Sequence, residues 1–156
     1  MKRSDEALKA FDSGFNCAQS MLYTYGKEFF REDAFALKLA SGFGAGVSYR
    51  GEMCGAVSGS LMVIGLHYGY SDLNMELQKE MNYLVATEFM AAFKQCNGSL
   101  VCNQLVKSEI NTPEGLETAR RDGLFDKTCP GLIASASEIL EALLKKYPVE
   151  KMGNKL

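Results

Sequence analysis

Three observations predict an all-α fold: a single-domain helical bundle of about six to eight helices with a central glycine-rich apolar helix. Apolar residues recur three and four apart over long stretches, as they do on the inner face of a helix. No stretch alternates with the period of two that a half-buried strand requires. Residues 53–71 contain no Asp, Glu, Lys or Arg, and a helix without a polar face belongs in the middle of a domain.

At 156 residues the chain is long enough to bury a core without disulfide or metal staples. One domain over residues 1–149 and a loose tail over 150–156 are expected. A transmembrane span is the rival reading of residues 53–71, because about twenty apolar residues cross a bilayer. The run contains Ser58, Ser60, His67 and four glycines, and is strongly apolar only over residues 61–66. A buried helix is the better reading, with Gly55/Gly59 and Gly65/Gly69 as points of close backbone approach.

Taken in order, Ser4 with Asp5 and Glu6 opens a first helix as cap and dipole partners, and Ala7, Leu8 and Phe11 form its inner face. Gly14 interrupts. Asn16 with Gln19 three residues on is a capping-box variant, which makes Cys17 the first residue of a second helix, ended at Gly26 as a C′ glycine would end it. A third helix covers Asp33–Ala40. Gly42-Phe43-Gly44-Ala45-Gly46 then loops, with residues 47–49 briefly extended, and the central helix begins at Cys54.

Ser71-Asp72 should open the longest helix, running to about Gln95, with Leu73, Leu77, Met81, Leu84, Val85, Phe89, Ala92 and Phe93 as its stripe. Cys96 continues that stripe as a buried, inert thiol. Asn97-Gly98 breaks the helix and Ser99 caps the next, placing Cys102 at N3. Thr112-Pro113-Glu114 starts another helix with proline at N1. Cys129-Pro130 starts the last in the same manner, with Leu132, Ile133, Ala136, Ile139, Leu140, Leu143 and Leu144 on its inner face and Pro148 beyond its end.

The formal charge of −2 and the absence of a Lys/Arg cluster argue against nucleic-acid binding. Met1-Lys2-Arg3 is followed by Ser4-Asp5-Glu6 where the apolar part of a secretory signal would begin, so a cytoplasmic location is expected. There, five cysteines point to catalysis, redox sensing or metal binding rather than cross-linking.

Four of those cysteines, Cys17, Cys54, Cys102 and Cys129, fall at or inside the first turn of an expected helix. A thiolate is the reactive and metal-binding form, and helix N-termini lower its pKa. A helix end supplies at most about 2 kcal/mol, which takes a thiol from about 8.5 to about 7–8.3. Further lowering needs a cation, for which Arg50 and Lys127 are the sequence neighbours, opposed by Glu52 and Asp126. The four are separated by 37, 48 and 27 residues, unlike the close pairs of zinc fingers or of Cys-x-x-Cys chemistry. Two dithiol/disulfide pairs, or an all-cysteine site for zinc or an iron–sulfur cluster, both remain open. His67, the one histidine, reads as a satisfied core residue. The glycine loop follows a helix rather than a strand and is no phosphate-binding fingerprint.

Gly14-Phe15-Asn16-Cys17-Ala18-Gln19, the loop over residues 42–46, Cys54-Gly55-Ala56-Val57-Ser58-Gly59, Gly98-Ser99-Leu100-Val101-Cys102 and Cys129-Pro130 occur in that order. This arrangement resembles the bacterial and archaeal redox-active proteins named for four cysteines and a Cys-Gly-Ala-x-x-Gly motif (C_GCAxxG_C_C). The resemblance assigns the four family cysteines to Cys17, Cys54, Cys102 and Cys129, leaves out Cys96, and implies a cysteine-based redox or metal-linked role, often encoded near transporters. The leading expectation is a thiol/disulfide oxidoreductase in which Cys54, freed by its glycine neighbours, attacks, and one or more of the other three completes the dithiol. The alternatives are a metal or iron–sulfur protein using all four thiolates, and a helical adaptor that pairs with a second copy of itself or with a membrane transporter.

Overall fold

The computed structural model describes residues 1–149; the tail expected over residues 150–156 lies outside them. Among the described residues there are eight right-handed α-helices and no strand beyond one isolated bridge, so the all-α, single-domain expectation holds. The helices are α1 (Arg3–Asp12), α2 (Cys17–Gly26), α3 (Asp33–Ala40), α4 (Gly55–Tyr68), α5 (Glu76–Asn97), α6 (Cys102–Val106), α7 (Pro113–Arg121) and α8 (Leu124–Lys146). No helix among them is long and apolar enough to cross a membrane.

Local sequence sets several ends as expected. The Asn16 side chain accepts from the Gln19 N–H at 2.9 Å and the Gln19 side chain accepts from the Asn16 N–H at 3.0 Å, a complete capping box that starts α2 at Cys17. The Thr112 hydroxyl accepts from the Gly115 N–H at 3.1 Å with Pro113 in the first turn of α7.

The central helix is α4, buried on every side from Gly55 to Ser60. It packs most closely on α2, because neither Gly55 nor Gly59 has a side chain to hold the two apart. A Cβ at Gly59 would stand 2.6 Å from the Ala18 carbonyl oxygen, and one at Gly55 would stand 3.0 Å from both the Ala18 nitrogen and the Cys17 Cβ. Around this pair Met21, Leu22, Tyr25, Val57, Ile64, Phe89, Phe93, Ile133 and Leu140 are wholly buried, each such side chain stabilising the fold by about 1.5–3 kcal/mol.

Other expectations give way to tertiary context. Helix α1 starts one residue before Ser4, after Lys2. Gly26 does not end its helix as a left-handed cap: the chain runs on into a 3-10 turn at Lys27–Phe29, and Gly26 instead makes room for Leu22, Leu66 and Phe30. Among the described residues nothing approaches Gly65, and only the first of the two glycine pairs marks a crossing by another helix. The long helix begins at Glu76, since the Asp72 carboxylate accepts from the Asn74 N–H at 2.9 Å and holds the chain in a turn. The front of its stripe is therefore unpaired: Leu73 is 94% and Leu77 78% exposed, whereas Val85, Phe89 and Phe93 are buried.

Cys96, expected inside, is exposed. The inner line of α5 continues from Phe93 to Asn97, whose amide donates to the Ser135 hydroxyl at 2.9 Å, and Cys96 falls beside that line. Ser99 is not the cap of α6: Val101 is, which puts Cys102 at N1 while the Ser99 hydroxyl accepts from the Val101 N–H. Helix α8 starts at Leu124 behind Gly123, in left-handed conformation, rather than at Cys129. Pro130 consequently lies inside the helix, without the N–H that would complete an intrahelical bond.

Residues 47–49 are not extended. Ala45, Gly46, Val47, Ser48 and Tyr49 all have φ between 52 and 66°, a left-handed helical turn tied by Ser48 N–H to Gly44 O at 2.9 Å and Glu52 N–H to Gly46 O at 2.9 Å. Four of the five carry a Cβ, at about 1–2 kcal/mol of strain each.

Candidate functional site

Two short segments carry Cys54 and Cys102 and lie antiparallel. The Cys54 N–H donates to Leu100 O at 2.8 Å, Cys102 N–H to Glu52 O at 2.6 Å and Asn103 N–H to Gly51 O at 3.0 Å, around the bridge between Met53 and Val101. This ladder sets the two cysteines side by side at the starts of α4 and α6. The close approach of Gly55 to Cys17 brings the start of α2 to the same place. Helix α8 passes across the three ends and adds Cys129 from its second turn.

Cys17, Cys54, Cys102 and Cys129 thus line one cavity of about 190 Å³, walled by Phe11, Ala45, Val106, Phe125 and Leu132 and reached by Tyr49 and Arg120. All four thiols are unpaired and buried. Three occupy helix starts as expected; Cys129 does not. Arg50 and Lys127, the cations expected from sequence, are not in the lining; Lys127 donates to the Asp122 carbonyl at 2.7 Å instead. Arg120, 9 residues before Cys129 and on a different helix, takes that place, and no local signal marks it. His67 is far along α4, with its ring edge-on to Phe29 at 4.8 Å and its Nε2 without a hydrogen-bond partner among the described residues; burial lowers its pKa. It is half-buried but not satisfied.

Burial reverses the expected acidity of Cys54. The backbone N–H groups of Ala56 and Val57 favour the thiolate, as the helix end should, but desolvation outweighs them and the thiol is pushed up to about 11. Desolvation can move a buried group by about 3–5 pH units, well beyond the reach of a helix end. Cys102 is likewise pushed up to about 12, by burial and then by the neighbouring Cys54 and Cys129. Nor is Cys54 freed by its glycines, which are filled by α2.

Cys17 and Cys129 behave as a pair. The neighbouring Cys17 thiol lowers the Cys129 pKa from its ordinary value against the opposing effects of burial and Asp126. The same contact, with burial, pushes Cys17 well up. Of the two, Cys129 is the one whose thiolate form the contact favours. Among the described residues, no three His, Cys, Asp or Glu side chains are grouped so as to hold a metal ion.

No curated protein and no solved structure matches the chain. The family model described as "Putative redox-active protein (C_GCAxxG_C_C)" matches residues 15–143, a span that begins just before the α2 cap and takes in all four cavity cysteines, and the chain belongs to that family of redox-active proteins.

Proposed function

We propose that the protein is a dithiol/disulfide redox protein whose working pair is Cys129, the attacking thiolate, and Cys17, the resolving thiol, with Cys54 and Cys102 completing the cavity. The observation that carries this reading is the convergence of four thiols, remote in sequence, on one cavity, within which Cys17 lowers the pKa of Cys129. Attack requires a thiolate and resolution requires a second thiol in reach. Closing the Cys17–Cys129 bond gives up two electrons and two protons to an acceptor disulfide, which leaves as two thiols. The reading places the protein in the cytoplasm, where free thiols persist.

Mild oxidation with diamide followed by peptide mass mapping should find Cys17 joined to Cys129. Cys129→Ser should abolish that linkage and Cys96→Ser should leave it intact. Four separately alkylatable cysteines after oxidation would defeat the proposal.

An all-thiolate zinc or iron–sulfur site is the second reading, favoured by the donor type: four soft sulfurs and no histidine in the cavity. The fit is one of donor type and not of grouping, so this reading ranks second. Metal analysis and visible absorption of anaerobically purified protein test it, and a colourless, zinc-free protein would remove it.

A further inference from the structure

Among the described residues, the mouth of the thiol cavity holds one cation and no carboxylate. Arg120, next to the last residue of α7, lies with its guanidinium carbon 5.4 Å from the centroid of the Tyr49 ring, a cation–π contact that positions the group without consuming its N–H donors. No ion pair or hydrogen bond engages that guanidinium among the described residues, whereas its neighbour Arg121 is committed to Asp122. Tyr49 is in turn the last residue of the left-handed turn, four positions after Ala45, so the two face the cavity together. The strained turn therefore supplies the platform on which the arginine rests, and strain of this kind is characteristic of ligand sites.

An uncommitted guanidinium is a planar fork that matches a carboxylate. The cavity beneath it, at about 190 Å³, is smaller than the sites that enclose drug-sized ligands. We propose that it takes small disulfides bearing a carboxylate, held through Arg120 with the S–S bond against the thiols. This rests on the dithiol reading above. The Cys129 thiolate attacks one substrate sulfur and expels the first thiolate, which takes up a proton. Cys17 then attacks the Cys129 sulfur of the mixed disulfide, the second thiol leaves, and the protein retains the Cys17–Cys129 bond. The substrate is reduced by two electrons and the protein oxidised by two.

The test is single-turnover oxidation of the pre-reduced full chain by three disulfides of similar length: dithiodipropionate (a dianion), hydroxyethyl disulfide (neutral) and cystamine (a dication). Each rate constant is divided by that of the same disulfide with free mercaptoethanol. The chain's net charge of −2 would by itself favour the dication. The proposal expects the dianion to be favoured over the dication by at least about tenfold, about 1.4 kcal/mol. Arg120→Gln should bring that ratio close to one and Arg120→Glu should invert it. Arg120 is exposed, and circular dichroism of each variant checks that it is folded. A wild-type ratio near or below one, or a ratio that the variants leave unchanged, overturns the proposal. Oxidation of Cys17 and Cys129 by hydroxyethyl disulfide alone would leave the dithiol reading standing while removing Arg120 from substrate choice. Oxidation by none of the three would remove both.

Discussion

Gly46 shows what a single position must satisfy at this site. Its φ is +64°, and a Cβ there would stand 2.6 Å from both the Cys102 Cβ and the Glu52 nitrogen, so any side chain meets backbone as well as strain. Gly46→Ala should destabilise the protein by about 2 kcal/mol or more and loosen the packing around Cys102. Urea unfolding measures the first effect and alkylation rates of Cys102 the second. A variant as stable as wild type, with Cys102 equally protected, would show that the approach of these two segments is not as tight as described. Cys96 is the contrasting case: exposed and outside the cavity, it should tolerate Ser within about 0.5 kcal/mol.

The left-handed turn is the element that least resembles its sequence. β-Branched Val47 has φ 66°, a conformation that costs such a residue about 1–2 kcal/mol. It is 37% exposed and belongs to neither hydrophobic cluster, so removing it loses less packing than removing a core valine would. Val47→Gly should therefore stabilise the protein even after the greater unfolded-state entropy of glycine, about 0.5–1 kcal/mol, is subtracted. The expected outcome is a higher urea midpoint with an unchanged m-value. A lower midpoint would mean that Val47 contributes packing worth more than the strain. Helix α8 teaches a related lesson, for Cys129-Pro130 carries the mark of a helix start, yet the helix runs through it from Leu124.

The desolvated cavity has a consequence for the molecule as a whole. An unfolded thiol titrates near about 8.5, whereas native Cys54 and Cys102 titrate near about 11 and about 12. Above the unfolded value the native chain holds protons that the unfolded chain has released. Stability from this source is thus complete below about pH 8.5 and is lost as pH rises, by about 1.4 kcal/mol per unit for each thiol. Urea midpoints of wild type should fall between about pH 8 and about pH 10 more steeply than those of a Cys54→Ala/Cys102→Ala variant. Equal slopes would sink the argument. Cys17 is raised as well, whereas its neighbour Cys129 is lowered, and Cys129 should be the first of the four cavity thiols to be alkylated in the native protein.

Features decided within one or two turns were legible in the sequence by itself. The all-α class, the Asn16–Gln19 box, the Thr112 start, Cys54 at the head of a central helix and the close contact at Gly55 and Gly59 each depend on spacing or on a missing side chain, and these act locally. Tertiary structure alone decided the rest. The acidity of Cys54 depends on how much water its neighbours exclude, and Leu73 and Leu77 are exposed because no other element among the described residues covers them. Cys129 entered the cavity from inside a helix, and Arg120 reached its mouth from another helix. Such facts belong to the meeting of segments far apart in the chain, and no run of neighbouring residues contains them.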